Sequence, residues 1–126
     1  MADYTPVYYG GAEPFAMTAS AAITGGQVVH ASGVGTVAPT AGASGSVVGV
    51  AAFDAASGTR VTVWPISGVM HETTTPAGVT AGAALASAAS GGVDSGTLGT
   101  LAAAGHLIGT AVSTATAGNK CRWIGR

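Results

Sequence analysis

Charge is what this chain has least of. Four Lys or Arg and five Asp or Glu make up 7% of its 126 residues and leave a net charge of −1, where about a quarter of residues is usual in soluble domains. So few cations give no electrostatic footprint for nucleic acid, whose phosphates must be met by clustered Lys and Arg. Three of the four basic residues, Lys120, Arg122 and Arg126, crowd the last seven positions. That placement predicts a C-terminal edge strand guarded by charge rather than a phosphate or acidic-partner site. Cysteine is nearly absent as well. With Cys121 alone, an internal disulfide is excluded and a reducing compartment fits; its place in an alternating run makes it a packing residue. Long hydrophobic runs are missing too. The uncharged stretch from Gly99 to Val112 is shorter than a membrane span, is built from Gly, Ala and Thr, and contains His106, so no membrane partner is expected. Asp3, Tyr4 and Pro6 stand where a signal peptide would place its basic and apolar regions, so function without export is expected.

What remains is glycine, alanine and a repeated phrase. Val48 to Trp64 (VGVAAFDAASGTRVTVW) and Ile108 to Ile124 (IGTAVSTATAGNKCRWI) share an order: branched apolar residue, Gly, any residue, Ala, a small polar stretch, then Gly, a basic residue and an alternating run. This spells strand, tight turn, strand, with Gly58 and Gly118 where a turn needs positive φ. An upstream echo pairs Ile23-Thr24-Gly25-Gly26 with Val79-Thr80-Ala81-Gly82. An internal duplication over about 23–68 and 79–124, with one small insertion, is the expectation. Trp64 and Trp123 close the two phrases at neighbouring places and are expected to pack in a core or interface.

Length predicts one domain with a thin core, because small side chains dominate. Residues 1–17 stand apart as an extended arm. They hold Tyr4, Tyr8, Tyr9 and Phe15, in a chain only 6% aromatic, with Pro6 and Pro14 around Gly10-Gly11; prolines and glycines at that density oppose helix. Concentrated aromatics on an arm need a surface, either on the parent domain or on a partner. From residue 18 to 126, short apolar pieces recur about every ten residues between Gly, Ser and Pro. This predicts an all-β domain, a small β-barrel or β-sandwich. The pieces are Ala21–Ile23, Gln27–Ala31, Val47–Phe53, Arg60–Ile66, Gly68–Glu72, Ala83–Ala86, Leu107–Val112 and Cys121–Ile124. Ser32 to Ser46 and Ser87 to Thr100 read as long surface loops, and only Leu98 to Leu107 has the composition for a helical turn.

Catalytic chemistry finds little footing. His30, His71 and His106 are far apart and have no second ligand at metal spacing, and no Cys pairs with Cys121. Asp54, replaced by Thr114 in the second phrase, reads as a turn former rather than a general base. Neighbours in a strand point to opposite faces, so His71 and Glu72 do not converge. Gly25-Gly26 and Gly91-Gly92 match no phosphate-binding loop. No enzyme activity, metal or cofactor is expected.

The order of these phrases carries a resemblance. Ile23-Thr24-x-Gly-x-Val28-Val29, Val48-Gly49-Val50-Ala51, Ala56-Ser57-Gly58-Thr59-Arg60-Val61-x-Val63 and Ser67-Gly68-Val69 come first. Val79-Thr80-Ala81-Gly82-x-Ala84-Leu85, Leu107-Ile108-Gly109-x-Ala111 and Ala117-Gly118 follow, so the likeness runs from about Thr18 to Ile124. Together they resemble the small capsid decoration, or head cement, proteins of tailed bacteriophages. The resemblance implies a β-rich virion structural protein, made in the bacterial host cytoplasm, that adds to the outer capsid surface. It implies the major capsid protein as partner, capsid stabilisation as the role, and a homo-oligomer with a trimer favoured. The aromatic arm and the very low charge depart from that pattern. On this view Tyr4, Pro6, Tyr8, Tyr9 and Phe15 form the capsid or subunit contact, Gly58 and Gly118 the structural turns, and Trp64 and Trp123 the packing. A phage tail or other self-assembling β module is the alternative, and a carbohydrate-binding β domain using an exposed Trp a further one.

Overall fold

The computed structural model describes residues 13–126. Ten strands carry the fold: β1 (Phe15–Ala19), β2 (Val28–Gly33), β3 (Thr36–Pro39), β4 (Val47–Ala51), β5 (Arg60–Pro65), β6 (Met70–Thr74), β7 (Ala84–Ser87), β8 (Val93–Gly96), β9 (Gly109–Ala111) and β10 (Lys120–Gly125). Among the described residues these are joined by a helix, α1 (Leu98–Ala104), and a 3-10 turn at Ala89–Gly91. Strands β1–β5 close into a barrel in the order β1-β3-β2-β4-β5, and β6–β10 form a sheet in the order β6-β10-β9-β7-β8. The chain is mostly β, and no helix among the described residues is long and apolar enough to cross a membrane.

The two halves superpose in sequence. An isolated bridge joins Ile23 to Ala55 in the first and Val79 to Ala115 in the second, so early positions correspond at an offset of 56 and late ones at 60. The hydrogen bonds repeat on the same offsets: Gly26 N donates to Ala51 O and Gly82 N to Ala111 O, both at 2.8 Å. Strand β1 against β5 places Phe15 opposite Val63 and Met17 opposite Val61; β6 against β10 places His71 opposite Trp123 and Thr73 opposite Cys121. The extra residues of the second half fall between β8 and β9, where α1 stands. Gly105, at φ 72, ends that helix and caps it through its N–H.

Closure separates the halves. Parallel pairing of β1 with β3 closes the barrel (Thr18 with Thr36, Ala19 with Val37), and Ser20 N continues the seam by donating to Val37 O at 2.9 Å. The residue matching Ser20 is Pro76, which has no N–H to give. Among the described residues, strand β6 has β10 as its one sheet neighbour. Asp94 substitutes for the missing bonds, its Oδ1 accepting from Thr75 Oγ1 at 3.2 Å and Ala77 N at 3.1 Å.

Two apolar cores follow. Ala19, Ile23, Val29, Val37, Ala51, Val61 and Val63 fill the barrel. Val79, Leu85, Val93, Ile108, Cys121 and Trp123 fill the second half, joined there by Val28 and Val50 of the first. Because successive strand residues face opposite ways, β2 sends Val29 into one core and Val28 into the other, both fully buried. The halves are thus sealed along β2 and β4. Polar bonds add to the seal: buried Thr40 donates through Oγ1 to Ala88 O at 2.9 Å, and Ser87 Oγ to Gly42 O at 2.8 Å.

Several sequence expectations change. The supposed loops at Ser32 to Ser46 and Ser87 to Thr100 contain β3 and β8, whose runs TVAP and VDSG each offer one branched apolar residue, Val37 and Val93, buried in its core. Strand β10 is interior, between β6 and β9, so Lys120 and Arg122 do not guard an edge. They occupy its exposed face, with Arg122 Nε 3.4 Å from Glu72 Oε2 across β6. Phe15 to Met17, read as arm, are strand residues of the barrel.

Candidate functional site

Turn and strand chemistry recurs in pairs across the halves and builds the body. Gly58 and Gly118 sit at φ 85 and 83, a region costly for any residue with a Cβ, and their amides donate to Ala19 O and Thr75 O. Asp54 Oδ1 accepts from Gly25 N at 2.8 Å, and its counterpart Thr114 Oγ1 accepts from Ala81 N at 3.1 Å. Each side chain holds the loop of the opposite hairpin. A Cβ on Gly49 would collide with Trp64 O and Val63 Cγ1, and one on Gly109 with Ile124 O and the Trp123 ring.

The tryptophans have parted company. Trp123 matches Val63, is fully buried, stacks on His71 with ring centroids 4.6 Å apart, and donates its indole N–H to Thr73 Oγ1 at 3.1 Å. Trp64 matches Ile124 and points out of the barrel, 39% exposed. Of the expected contact residues, Phe15 is 38% exposed at the start of β1, while Tyr4, Pro6, Tyr8 and Tyr9 lie outside the described residues.

Hollows open on the surface of the described residues. A groove of about 380 Å³ lies at the junction of the halves, lined by Ala51, Ala52 and Trp64 on one side and Val69, Met70 and Glu72 on the other. Met70 is 56% exposed, and Phe53 nearby in the chain 49%. A polar cleft of about 250 Å³ lies beyond it, between Thr24–Gln27, Glu72, Ser90 and Lys120. Gln27 pins that cleft, its Oε1 accepting from Thr24 N at 2.8 Å and its Nε2 donating to Ser90 O at 2.9 Å. A third hollow, about 220 Å³, runs from Ser44 to Arg126.

None of these gathers catalytic groups. Among the described residues no three His, Cys, Asp or Glu side chains stand close enough to hold a metal. His71 is buried against Trp123, and desolvation lowers its pKa despite hydrogen bonds to the backbone at Ile66 and Pro65. Glu72 beside it is exposed and turned outward, as the alternation of a strand requires. Burial raises the Cys121 thiol, partly offset by bonding to Ser113, and so keeps it from acting as a thiolate. Sequence reasoning missed the groove, because its walls come from β5 and β6 in different halves; the one signal for it was Trp64, where the second phrase has Ile124.

A body of paired strands, small residues and shallow hollows defines a structural β protein whose work is done by surfaces. A family model described as phage cement protein matches residues 10–125, and the chain belongs to that family. It is a structural phage protein associated with the capsid and the virion. The fold is also that of the head fiber gp8.5 N base in bacteriophage phi29, a crystal structure 16% identical in sequence, with a TM-score of 0.69 over 90% of this chain and 93% of that one. Comparison with curated proteins gives no match.

Proposed function

We propose that this protein binds the outer surface of an assembled phage head and cements neighbouring major capsid subunits. The observation that carries the reading is membership of the cement family over nearly the whole chain. The geometry supports it: a sealed two-part body gives rigid spacing, and weak contacts repeated over a lattice gain strength through avidity. A homo-oligomer, with a trimer favoured, multiplies those contacts. The shell contact is the aromatic segment bearing Tyr4, Pro6, Tyr8 and Tyr9, with Phe15 at its root; each ring fully buried on the shell contributes about 2 kcal/mol before ordering costs.

The test uses heads that lack decoration. Full-length protein co-sediments with them and raises the temperature at which they rupture, whereas a chain lacking residues 2–12, which leaves β1 intact, binds at least about tenfold more weakly through loss of its aromatic anchors. Undiminished binding by the shortened, folded chain removes the arm from the contact; binding without added heat resistance removes the cementing role. Mass measurement decides the oligomer.

A self-assembling structural module is the second reading, favoured by the place of β6 at the end of its sheet among the described residues. Concentration-dependent filaments of the purified protein would support it.

A further inference from the structure

We propose that the trough beside Trp64 binds neutral glycans, one sugar ring lying on the indole while Gln27, Glu72 and Lys120 take its hydroxyl groups or those of the next sugar. Three observations carry this. The first is shape: the groove at Trp64 and the polar cleft pinned by Gln27 share Gly26 and Glu72 in their linings. They adjoin as one trough, of about 380 and 250 Å³ in its two parts, a size suited to a small ligand. The second is the chemistry of its two ends. Trp64 and Met70 line the apolar end, both substantially exposed, and the C–H face of a pyranose covers an indole without burying an unpaired hydroxyl. The other end is lined, among the described residues, by Thr, Gly, Gln, Ser, Glu and Lys, which gives an apolar peptide no second anchor. Its carboxylate, Glu72, and its ammonium, Lys120, balance in charge, so a neutral ligand fits better than an anionic one.

The third observation is that the polar end is fixed in place, yet the fold does not require its residues. Gln27 has used one lone pair on Thr24 N and one N–H on Ser90 O, which leaves its second lone pair and second N–H for a ligand. Gly91 packs so close that a Cβ there would collide with Gln27 Cβ, so the carboxamide is held ready. Ser90 stands at φ 55, the one non-glycine at positive φ among the described residues, a conformation costly for any residue with a Cβ. On the offsets that relate the halves, Gln27, Ser90, Glu72 and Trp64 match Ala83, Val34, Ala16 and Ile124. The same scaffold therefore forms with apolar residues at all four places, and the polar and aromatic set belongs to the trough. The site goes beyond capsid attachment and is tested without heads, so its failure leaves the cementing reading untouched.

The test uses the full chain with cellohexaose, maltohexaose, mannohexaose and chitohexaose as neutral probes, an oligogalacturonate as the anionic one and N-acetyltyrosinamide as the peptide-like one. Trp123 is fully buried, so acrylamide quenching of the folded chain reports Trp64. At least one neutral sugar is expected to bind with a Kd of about 1 mM or tighter. It is expected to lower the quenching constant by about twofold, as a ligand covering one face of an exposed ring would, and to shift the amide resonances of Gly26, Gln27 and Glu72. Calorimetry is expected to show binding lost in Trp64→Ile and weakened about tenfold in Gln27→Ala. Both variants carry the matching residue of the other half, and urea unfolding confirms that they remain folded. Binding by none of the neutral sugars overturns the proposal, and so does sugar binding that survives Trp64→Ile. Protection of Trp64 by N-acetyltyrosinamide and by no sugar assigns the groove to a protein partner, and preference for the oligogalacturonate makes the ligand an anion; either result overturns it as well.

Discussion

The two halves of this protein share a plan and differ at its seam. In the first, β1 reaches β3 and the barrel closes through backbone bonds, including the one from Ser20 N. In the second, Pro76 stands at the corresponding position and cannot donate; among the described residues β6 ends its sheet, and Asp94 ties the ends by side-chain bonds. The cores diverge in the same direction. Val63 fills the small barrel, while Trp123 at the matching place fills a wider space that also receives Val28 and Val50 from its neighbour. One half is thus a closed unit and the other an open one, and the open one borrows part of its core. The consequence is interdependence: the second half should not hold its shape alone.

The sharpest way to break that comparison is at the tryptophans. Trp123→Ala empties the shared core and is expected to cost about 4 kcal/mol, whereas Trp64→Ala, from a partly exposed site, costs about 1 kcal/mol; urea denaturation measures both. Equal costs would mean that the second core is not the keystone.

Next come the paired glycines. Gly49→Ala and Gly109→Ala each drive a Cβ into the facing strand and are expected to destabilise by about 2–3 kcal/mol. Both should shift one cooperative transition, because Val28 and Val50 bind the halves into a single unit. Two separated transitions would show that the halves unfold independently.

The seam itself offers a smaller effect. Asp94→Ala strands Thr75 Oγ1 and Ala77 N and should cost about 1–2 kcal/mol; Asp54→Ala, which releases only Gly25 N, costs less. Combining Pro76→Ser with Asp94→Ala gives the second half the residues of the first, where Ala38 matches Asp94. Slow hydrogen exchange of the amide at position 76, matching that of Ser20, would show the sheet closing; rapid exchange would mean that more than the missing donor keeps it open.

Acid gives the mildest contrast. His71 occupies the place of Phe15, and burial holds its pKa below the ordinary histidine value of about 6.5. As pH falls below that value the unfolded chain takes up the proton first, so stability is full above it and declines through the window beneath it. Thermal melts at pH 7 and pH 5 should therefore lose less in His71→Phe than in the parent chain. An identical loss in both would clear His71 of the acid dependence.

Some of this was legible without coordinates. Strands β2, β4, β5, β6, β7, β9 and β10 each fall largely within an apolar piece read from alternation, because Val, Ile and Trp at period two mark a half-buried strand. Strands β3 and β8 were not legible. Thr36-Val37 is followed at once by Ala38-Pro39, and Val93 by Asp94-Ser95-Gly96, residues depleted in strands, so no alternation develops; each strand forms because the valine finds a core while the backbone meets β2 or β7. Strand β10 was misplaced at an edge for a related reason: Lys120 and Arg122 reveal an exposed face, and a face does not tell which neighbours lie beside it. Of the candidate surface, Trp64 was singled out as a packing residue, and its partner Met70 was not, since the groove joins residues from separate halves.

By itself the sequence determined an all-β body with few charges, turns at Gly58 and Gly118 and a doubled phrase, because composition and local periodicity act on short stretches of chain. Tertiary structure alone decided which half closes, which tryptophan is buried and which strands end the second sheet. Those outcomes depend on backbone groups and side chains from distant positions meeting, or, at Pro76, failing to meet.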